Sequence, residues 1–408
     1  MESFITKPQS LQQCPVLIIG AGMVGLTLAQ TLKKNSIPFL IFERDSSSKV
    51  RTQGWALTIH TALSEFQSLL PESLNARLDS TKVNSGDEDA GDFPFLDLSN
   101  CDVKWRMPPA KRKRVSRDRL RQLLLEEDIE KEVLWNKLLT SVAPTAAGVK
   151  AFFNDGSSYE GLLLVGIDGA SSTVRTFICP SDALARNSLP VNFLGTSLEV
   201  TKSPIIESLL EIHPVLIHGC HHESSTYVAF SAIDSPETNG TISRPVEEQI
   251  WRVQVGLSWL YTVDDGEVPS TDAERIVIMR ERSANFDPRL KSIFYDMLPS
   301  DHSPIRRIKV EDWCPPCDRC DSFDGRITLA GDAAHTMTTY RGEGFNHGVL
   351  DVFALLPGLQ RIYKSSASNA DISQVRKDVI SEYEEQSRVR GREAVLLSRE
   401  ACLKAHQW

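Results

Sequence analysis

The 408-residue sequence lacks any unbroken apolar run of the length that a membrane-spanning helix requires. Such a helix needs about 18 or more apolar residues, whereas glycines at positions 20, 22 and 25 interrupt the first apolar stretch. A secretory signal pattern is also missing. We therefore expect no integral membrane segment and a cytoplasmic location.

An excess of positive charge is missing as well. Lys and Arg total 45 against 54 Asp and Glu, a formal net charge of -9, so the chain has no general electrostatic basis for binding nucleic acid. The basic run at residues 111–114 is interpreted as a solvated strand edge before a basic helix start. A local field that attracts an anionic nicotinamide cofactor is the alternative.

Cysteine is sparse for a chain of this length. Eight cysteines in 408 residues indicate a reducing compartment rather than a disulfide framework. Cys314, Cys317 and Cys320 are spaced C-x-x-C-x-x-C, but a zinc site needs four ligands, and the nearest outside candidates are the distant Cys402 and His302. We interpret the segment as a Pro-rich loop with free thiols and expect no metal site.

The most informative stretch is 16–43, VLIIGAGMVGLTLAQTLKKNSIPFLIFE. It predicts a strand over 16–19, then Gly20, Gly22 and Gly25 at G-x-G-x-x-G spacing, a helix over 26–34, and a second strand over 39–42 that Glu43 closes. These glycines suit a tight turn, close approach of the backbone to a pyrophosphate, and close helix packing, and Glu43 suits a ribose hydroxyl. The pattern predicts a dinucleotide site and leaves FAD and NAD equally open.

Two later motifs each follow an apolar strand. They are Gly166-Ile167-Asp168-Gly169, followed by Ser172 and Arg175, and Gly331-Asp332-Ala333-Ala334-His335, followed by Gly342, Gly344 and Asn346. With the N-terminal glycines, their order and spacing resemble the three signatures of the class A flavoprotein monooxygenases, the para-hydroxybenzoate hydroxylase-like family. Thr339 stands where that family commonly has proline, and its surroundings resemble a fungal subgroup acting in secondary metabolism.

The resemblance implies an α/β fold with a Rossmann-like FAD-binding domain of the GR2 type, an inserted substrate domain built on an antiparallel β-sheet, and C-terminal helices. β-type runs over 188–259 agree with that sheet, and helical patterns cover 63–74, 115–127 and 273–297. The expected segments are the FAD-binding domain in three parts (1–76, 105–187 and 319–370), an excursion toward the substrate domain (77–104), the substrate domain (188–318) and the C-terminal helices (371–408).

The resemblance also assigns cofactor contacts. Asp332 is expected to accept hydrogen bonds from the ribityl hydroxyls of FAD, and the loop of Asp168 and Arg175 to border both FAD and the nicotinamide site. For that loop, an aspartate that caps a helix and pairs with the arginine is a compatible alternative. The helix that begins near Phe345 is expected to direct its N-terminal N–H groups at the flavin. The complete expected FAD-binding set is Gly20, Gly22, Gly25, Glu43, Arg44, Arg51, Arg117, Asp168, Arg175, Gly331, Asp332, Gly342, Gly344, Phe345 and Asn346.

The implied reaction is that of an NAD(P)H-dependent FAD monooxygenase, in which a flavin C4a-hydroperoxide hydroxylates or epoxidises a hydrophobic aromatic or isoprenoid small molecule. FAD is expected to be tightly bound and NADPH or NADH transient, because no second G-x-G-x-x-G follows a strand downstream. A flavin oxidase or dehydrogenase without oxygen insertion and a non-catalytic flavin-binding regulatory protein are the alternatives. Expected partners are the small substrate, dioxygen and NAD(P)H, with a monomer or homodimer as the assembly.

Four residues are candidate acid–base or positioning groups on the substrate side: His60, His218, Tyr340 and Arg341. Each has a structural alternative, because a histidine in an apolar strand is more often a satisfied core residue, and the other two suit a surface loop. The alternation of Trp251, Gln254 and Trp259 does not reveal which face of a strand meets a ligand. His221, His222 and Glu223 are poorly placed for a metal, since adjacent strand side chains point to opposite faces.

Overall fold

The computed structural model describes residues 13–50, 54–84, 86, 92–108, 110–261, 267–298, 304–316, 320–364 and 369–407. The strands within these ranges are β1 Val16–Ile19, β2 Phe39–Phe42, β3 Ala56–Ile59, β4 Phe93–Asp97, β5 Val103–Met107, β6 Lys113–Ser116, β7 Val133–Leu134, β8 Leu139–Pro144, β9 Val149–Phe153, β10 Ser158–Gly161, β11 Leu163–Gly166, β12 Asn187–Thr201, β13 Leu216–His221, β14 Thr226–Asp234, β15 Ile250–Leu260, β16 Arg306–Asp312 and β17 Ile327–Leu329.

The α-helices of the described residues are α1 Met23–Lys34, α2 Leu63–Leu69, α3 Glu72–Asn75, α4 Arg117–Leu125, α5 Ile129–Glu132, α6 Thr173–Ile178, α7 Pro204–Ile212, α8 Pro236–Asn239, α9 Asp272–Arg282, α10 Pro288–Ser292, α11 Gly344–Lys364 and α12 Asn369–Lys404. Across the described ranges, no helix combines the length and the apolar character that crossing a bilayer requires.

A five-stranded parallel sheet in the order β17-β11-β1-β2-β7 carries the first motif region. Strands β1, β11 and β17 are buried along their whole length, as expected for a parallel sheet covered on both faces. Val16 and Ile18 pack on one side with α1, α4 and α11, whereas Leu17 and Ile19 pack toward the three-stranded sheet β10-β9-β8. All five carboxyl ends therefore meet at one edge, where α/β sheets bind ligands.

A seven-stranded sheet in the order β16-β12-β15-β14-β13-β4-β5 forms the second layer. Its strand pairs are antiparallel except for β13 and β4. One face is packed under α7, α9 and α10 through residues such as Val228, Val255 and Trp259. The opposite face, which we call the inner face, carries Phe95, His218, Tyr227, Ser231, Gln254 and Ser258.

A two-stranded ribbon of β3 and β6 lies against the inner face. The Ala56 N–H donates to Gln254 Oε1 at 2.8 Å. Arg114 donates through Nε to Ser231 Oγ at 3.0 Å and through an Nη to Thr58 Oγ1 at 2.9 Å. The predicted α/β fold with a Rossmann-like layer and an antiparallel sheet is confirmed, while the domain boundaries stay predictions.

Several predicted helices differ at their ends. The pattern over 63–74 breaks between α2 and α3 at Pro71, because proline lacks the N–H that continues a helix. The pattern over 273–297 breaks after Arg282, where α9 ends, and α10 begins at Pro288 after the Asp287 cap. The helix expected from residue 115 begins at Arg117, since Val115 and Ser116 pair with β3 instead. The 188–259 region also contains α7, which Ser203 caps through the Ile206 N–H.

The cysteine segment differs from its predicted form. Cys320 forms a disulfide with Cys179, which follows α6, across a sequence separation of 141 residues. The two Cα atoms lie 4.5 Å apart, within the range that a disulfide bridges. The interpretation as a loop of free thiols is therefore wrong for Cys320. Cys314 forms no disulfide within the described residues and accepts a hydrogen bond from Arg392, and Cys317 lies outside those residues.

Close packing of α11 on α12 leads to a stability prediction. A Cβ added at Gly358 would lie 2.0 Å from Cγ1 of Val379, so Gly358→Val forces the two helices apart. We expect the free energy of unfolding in urea to fall by about 1–3 kcal/mol. The matched control is the double variant with Val379→Ala, which should recover part of the loss. Strict additivity of the two substitutions would contradict this packing.

Candidate functional site

The glycine turn after β1 leaves a helix N-terminus open at the carboxyl edge of the parallel sheet. Gly20 has a φ of +111°, and a Cβ there would lie 2.5 Å from the Ile167 carbonyl oxygen. A Cβ at Gly25 would lie 2.0 Å from the carbonyl oxygen of Gly20, whereas one at Gly22 meets nothing within 4 Å. No side chain caps α1, so its first N–H groups can bind an anion.

Glu43 directly follows β2, and its carboxylate contacts the glycine turn. Its Oε2 accepts the Ala21 N–H at 2.8 Å and its Oε1 accepts the Asp45 N–H at 3.1 Å. A carboxylate has further lone pairs, so Glu43 can still accept a ribose hydroxyl. The neighbouring Arg44 is exposed, and Arg51, also expected at the cofactor, lies outside the described residues.

Asp168 and Arg175 fix the loop after β11. Asp168 Oδ2 accepts hydrogen bonds from the N–H groups of Thr173 at 2.6 Å and Val174 at 3.2 Å. Asp168 therefore caps α6, as the helix-capping alternative for this aspartate predicted. Arg175 donates to the carbonyl oxygen of Ala333 at 3.1 Å and lies over the Trp313 ring. Burial lowers the pKa of Arg175 to about 10. The arginine thereby ties this loop to the turn that holds Asp332.

Asp332 follows β17 at the carboxyl edge of the parallel sheet and keeps an accessible surface there. We call the part of this edge between the start of α1, Glu43, Asp332 and Arg117 the groove. Desolvation by the surrounding protein raises the pKa of Asp332, against the opposing charges of His335, Arg117 and Arg175. Nε of Arg117 is buried and has no hydrogen-bond partner among the described residues. A buried donor without a partner is costly, and a bound polar group at this position would satisfy it. A carboxylate and a guanidinium that face one groove suit the hydroxyls and phosphates of a dinucleotide.

Helix α11 begins at Gly344, beside the same groove. An added Cβ at Gly344 would lie 3.5 Å from Asp332 Oδ1, and Gly342 has a φ of +64°. Phe345 packs edge-on against Phe66 in the core. Asn346 Oδ1 accepts the His60 N–H at 2.9 Å, and its Nδ2 donates to the Thr58 carbonyl oxygen at 3.0 Å. Asn346 therefore joins α11 to the ribbon, and its expected contact with a cofactor stays a prediction.

Asp351 is the important residue that sequence reasoning missed. Its buried carboxylate accepts hydrogen bonds from the Gly331 N–H, from His335 Nε2 and from the Ser387 hydroxyl, each at 2.7 Å. The same carboxylate forms an ion pair with Arg390. Burial opposes ionisation, yet His335 and Arg390 hold the pKa of Asp351 below its usual value. A lone acidic residue in the apolar sequence GVLDVFALL was the available signal.

Two of the substrate-side candidates lie near Glu343. Arg341 donates to both carboxylate oxygens of Glu343, at 2.8 and 2.9 Å. Burial lowers the pKa of His60, against the field of Glu343. Sequence reasoning did not select Glu343, whose side chain is buried.

The other two candidates meet on the inner face. The Tyr227 ring lies 5.2 Å from that of Tyr340 and 6.3 Å from that of His218. The Tyr340 hydroxyl donates to Ser258 Oγ at 2.8 Å. The structure thus forms two groups, one at the loop before α11 and one against the inner face.

The basic run at 111–114 is a solvated edge only in part. Arg112 is 3% exposed and Arg114 is 7% exposed, whereas Lys111 is exposed. Arg112 lies over the Phe93 ring, and Arg114 joins the ribbon to the sheet. Pairing of β6 with β3 places Arg114 opposite Thr58, so this face of the run turns inward. The predicted solvated edge is therefore wrong for Arg112 and Arg114.

Comparisons with known proteins agree with this geometry. A family model described as an FAD binding domain matches residues 13–387. The FAD-dependent monooxygenase dbaB of Emericella nidulans is 43% identical over 345 residues, which cover 84% of this chain and 85% of the relative. A probable FAD-dependent monooxygenase of Arthroderma benhamiae is 38% identical over 414 residues, covering 96% of this chain and 92% of the relative.

Solved structures show the same fold at low sequence identity. Klebsiella pneumoniae HpxO complexed with FAD and uric acid superimposes with a TM-score of 0.72 at 18% identity, covering 97% of this chain and 90% of the other. At this identity the likeness concerns the fold alone.

Gly22 and Gly25 separate cofactor binding from folding. Because an added side chain at Gly22 meets no protein atom, we expect Gly22→Val to fold normally but to lose FAD, whose pyrophosphate it blocks. Flavin absorbance per chain and the thermal unfolding midpoint measure the two effects. The comparison variant, Gly25→Val, should lower the unfolding midpoint itself. A Gly22→Val protein that retains one FAD per chain would contradict the placement of the pyrophosphate.

Proposed function

This chain belongs to the class A flavoprotein monooxygenases, an FAD-dependent family, and from that premise we propose that it uses NAD(P)H and dioxygen to hydroxylate or epoxidise a hydrophobic aromatic or isoprenoid small molecule. The supporting observation is the groove that joins the open α1 N-terminus, Glu43, Asp332 and Arg117 along one sheet edge. We place this activity in secondary metabolism, in the cytoplasm, with a monomer or homodimer as the assembly.

The residues of the groove fit each part of FAD. The free N–H groups at the start of α1 receive the pyrophosphate, and Glu43 accepts hydrogen bonds from the adenosine ribose. Asp332 accepts hydrogen bonds from the ribityl hydroxyls, beside the unpaired Nε of Arg117. The positive end of the α11 dipole favours negative charge on the flavin ring. Together these contacts account for tightly held FAD.

Bound FAD supplies hydride acceptance from the nicotinamide and activation of dioxygen, so the chain itself needs no nucleophile. Its tasks are to orient the substrate, to exclude water and to hold protons at defined atoms. Aromatic rings of Trp55, Phe193, Tyr340 and Tyr227 form a continuous set of contacts on the inner face. Phe193 and Tyr227 are buried within this set. Trp55 and Tyr340 are partly exposed and are the rings that we propose to contact a planar hydrophobic substrate.

The nicotinamide cofactor is a transient partner in this proposal. The G-x-G-x-x-G pattern occurs once after a strand, and we assign that copy to FAD, so the chain has no second such motif for the nicotinamide cofactor. The loop of Asp168 and Arg175 is the proposed border of the NAD(P)H site, because the Arg175 side chain holds it against the carbonyl oxygen of Ala333, next to Asp332. Because Glu43 is assigned to the FAD ribose, it does not indicate whether the enzyme uses NADH or NADPH.

A reduction and labelling experiment tests the proposal. Purified yellow protein should bleach with NADPH or NADH without air and reoxidise when air is admitted. Incubation with a fungal metabolite extract under oxygen-18 gas should yield a product that carries one labelled atom, measured by mass spectrometry. Hydrogen peroxide formed in equal amount to an unlabelled product would contradict the proposal and indicate an oxidase.

A further inference from the structure

The inner face has a row of small residues followed by rings across the seven-stranded sheet. Gly195, Gly256, Ala229, His218, Phe95 and Trp105 are paired in register on successive strands from β12 to β5. Ala229 and His218 keep part of their surface accessible, while their neighbours on the packed face are buried. The row therefore keeps His218 partly accessible on the inner face, next to the small side chain of Ala229.

Three aromatic rings surround the His218 imidazole edge-on. The interplanar angles are 79° to Phe95, 79° to Trp105 and 86° to Tyr227, with centroids 5.3 to 6.3 Å away. Nε2 of His218 is buried and has no hydrogen-bond partner among the described residues. A buried polar nitrogen without a hydrogen-bond partner is unfavourable, so the arrangement favours a ligand atom at that position.

Burial also decides how many hydrogens the imidazole carries. Burial, with the charges of Arg114 and His213, lowers the pKa of His218 to about 4, so the ring is neutral near neutral pH and only one nitrogen bears hydrogen. Burial lowers the pKa of Arg114 to about 10, which keeps the guanidinium charged. Burial raises the pKa of Tyr227, which keeps the phenol neutral.

The charge on Arg114 orients the Tyr227 hydroxyl. Arg114 interacts electrostatically with both Tyr227 and His218. A cation attracts the lone pairs of the phenolic oxygen and repels its hydrogen, so the O–H points away from Arg114. His218 Nδ1 lies 3.4 Å from the Tyr227 oxygen and is placed to receive that hydrogen. The single imidazole hydrogen then resides on Nε2.

We propose that His218 Nε2–H donates a hydrogen bond to an acceptor oxygen of the substrate, a carbonyl or ionised hydroxyl on a planar ring. Tyr227 and Arg114 act as positioning residues that hold His218 in this tautomer. The subsite favours substrates with a carbonyl or an ionised hydroxyl over substrates in which the same oxygen carries an alkyl group. It rests on the proposed function for its location in the substrate path, but binding at His218 needs neither NAD(P)H nor turnover.

An equilibrium titration with 4-nitrophenol tests this subsite, because the ionisation of this planar probe is visible by its absorbance. We expect the FAD-bound protein to lower the pKa of bound 4-nitrophenol by about one unit, a tenfold preference for the ionised form. At a pH where the free probe is ionised, it should bind about tenfold more tightly than 4-nitroanisole, which cannot ionise. Difference spectra against the same holoprotein separate the probe from the flavin.

Four variants give the controls. His218→Phe should abolish both effects, Tyr227→Phe should weaken them, and His218→Gln, which retains an N–H donor, should restore part of them. His221→Phe is the matched control, because His221 is a buried histidine on the same strand that bonds Ser224 instead. Flavin content confirms that each variant is folded.

Two results would overturn the subsite: equal binding of the two probes to the wild-type protein, including no binding of either, or a pKa shift that persists in His218→Phe. Loss of oxygen-18 incorporation with an intact nitrophenol shift would instead contradict the proposed function and leave the subsite standing.

Discussion

The buried carboxylate of Asp351 is the contact on which the cofactor groove depends. It receives hydrogen bonds from the turn after β17, through Gly331 and His335, and from α12, through Ser387 and Arg390. An ionised group inside a protein is stable only when its lone pairs are satisfied, and here the donors come from segments far apart in sequence. The turn that presents the groove is therefore held by the C-terminal helices, which are part of the site.

The groove and the inner face of the large sheet are joined through the ribbon of β3 and β6. Asn346 links the ribbon to the start of α11, and Arg114 links it to β14. These two residues connect the layers through hydrogen bonds, so each can affect the distance between the groove and the inner face without contacting the reacting atoms. In the proposed function, this connection brings a cofactor at the end of the parallel sheet to a substrate on the inner face of the other sheet.

Sequence reasoning correctly placed the residues whose position follows from local pattern. The glycines after β1 and the acids Asp168 and Asp332 each come directly after a buried strand, so their place at the sheet edge is a consequence of parallel topology. It missed Asp351, the burial of Arg114 and the bond from Cys179 to Cys320, because each depends on a partner distant in the chain. A run of basic residues is ordinarily solvated, and only the pairing of β6 with β3 turns Arg114 inward.

The most direct measurement of the central claim is the dissociation constant of FAD for the wild-type chain, Asp332→Ala and Asp332→Asn. We predict that Asp332→Ala weakens FAD binding by about tenfold or more, since it removes a charged hydrogen-bond acceptor from the groove. Asp332→Asn, which retains one acceptor oxygen, should lose less, and the FAD-free forms of both variants should unfold at the temperature of the FAD-free wild-type chain. An unchanged dissociation constant for Asp332→Ala, with full flavin content, would contradict the assignment of this groove to FAD.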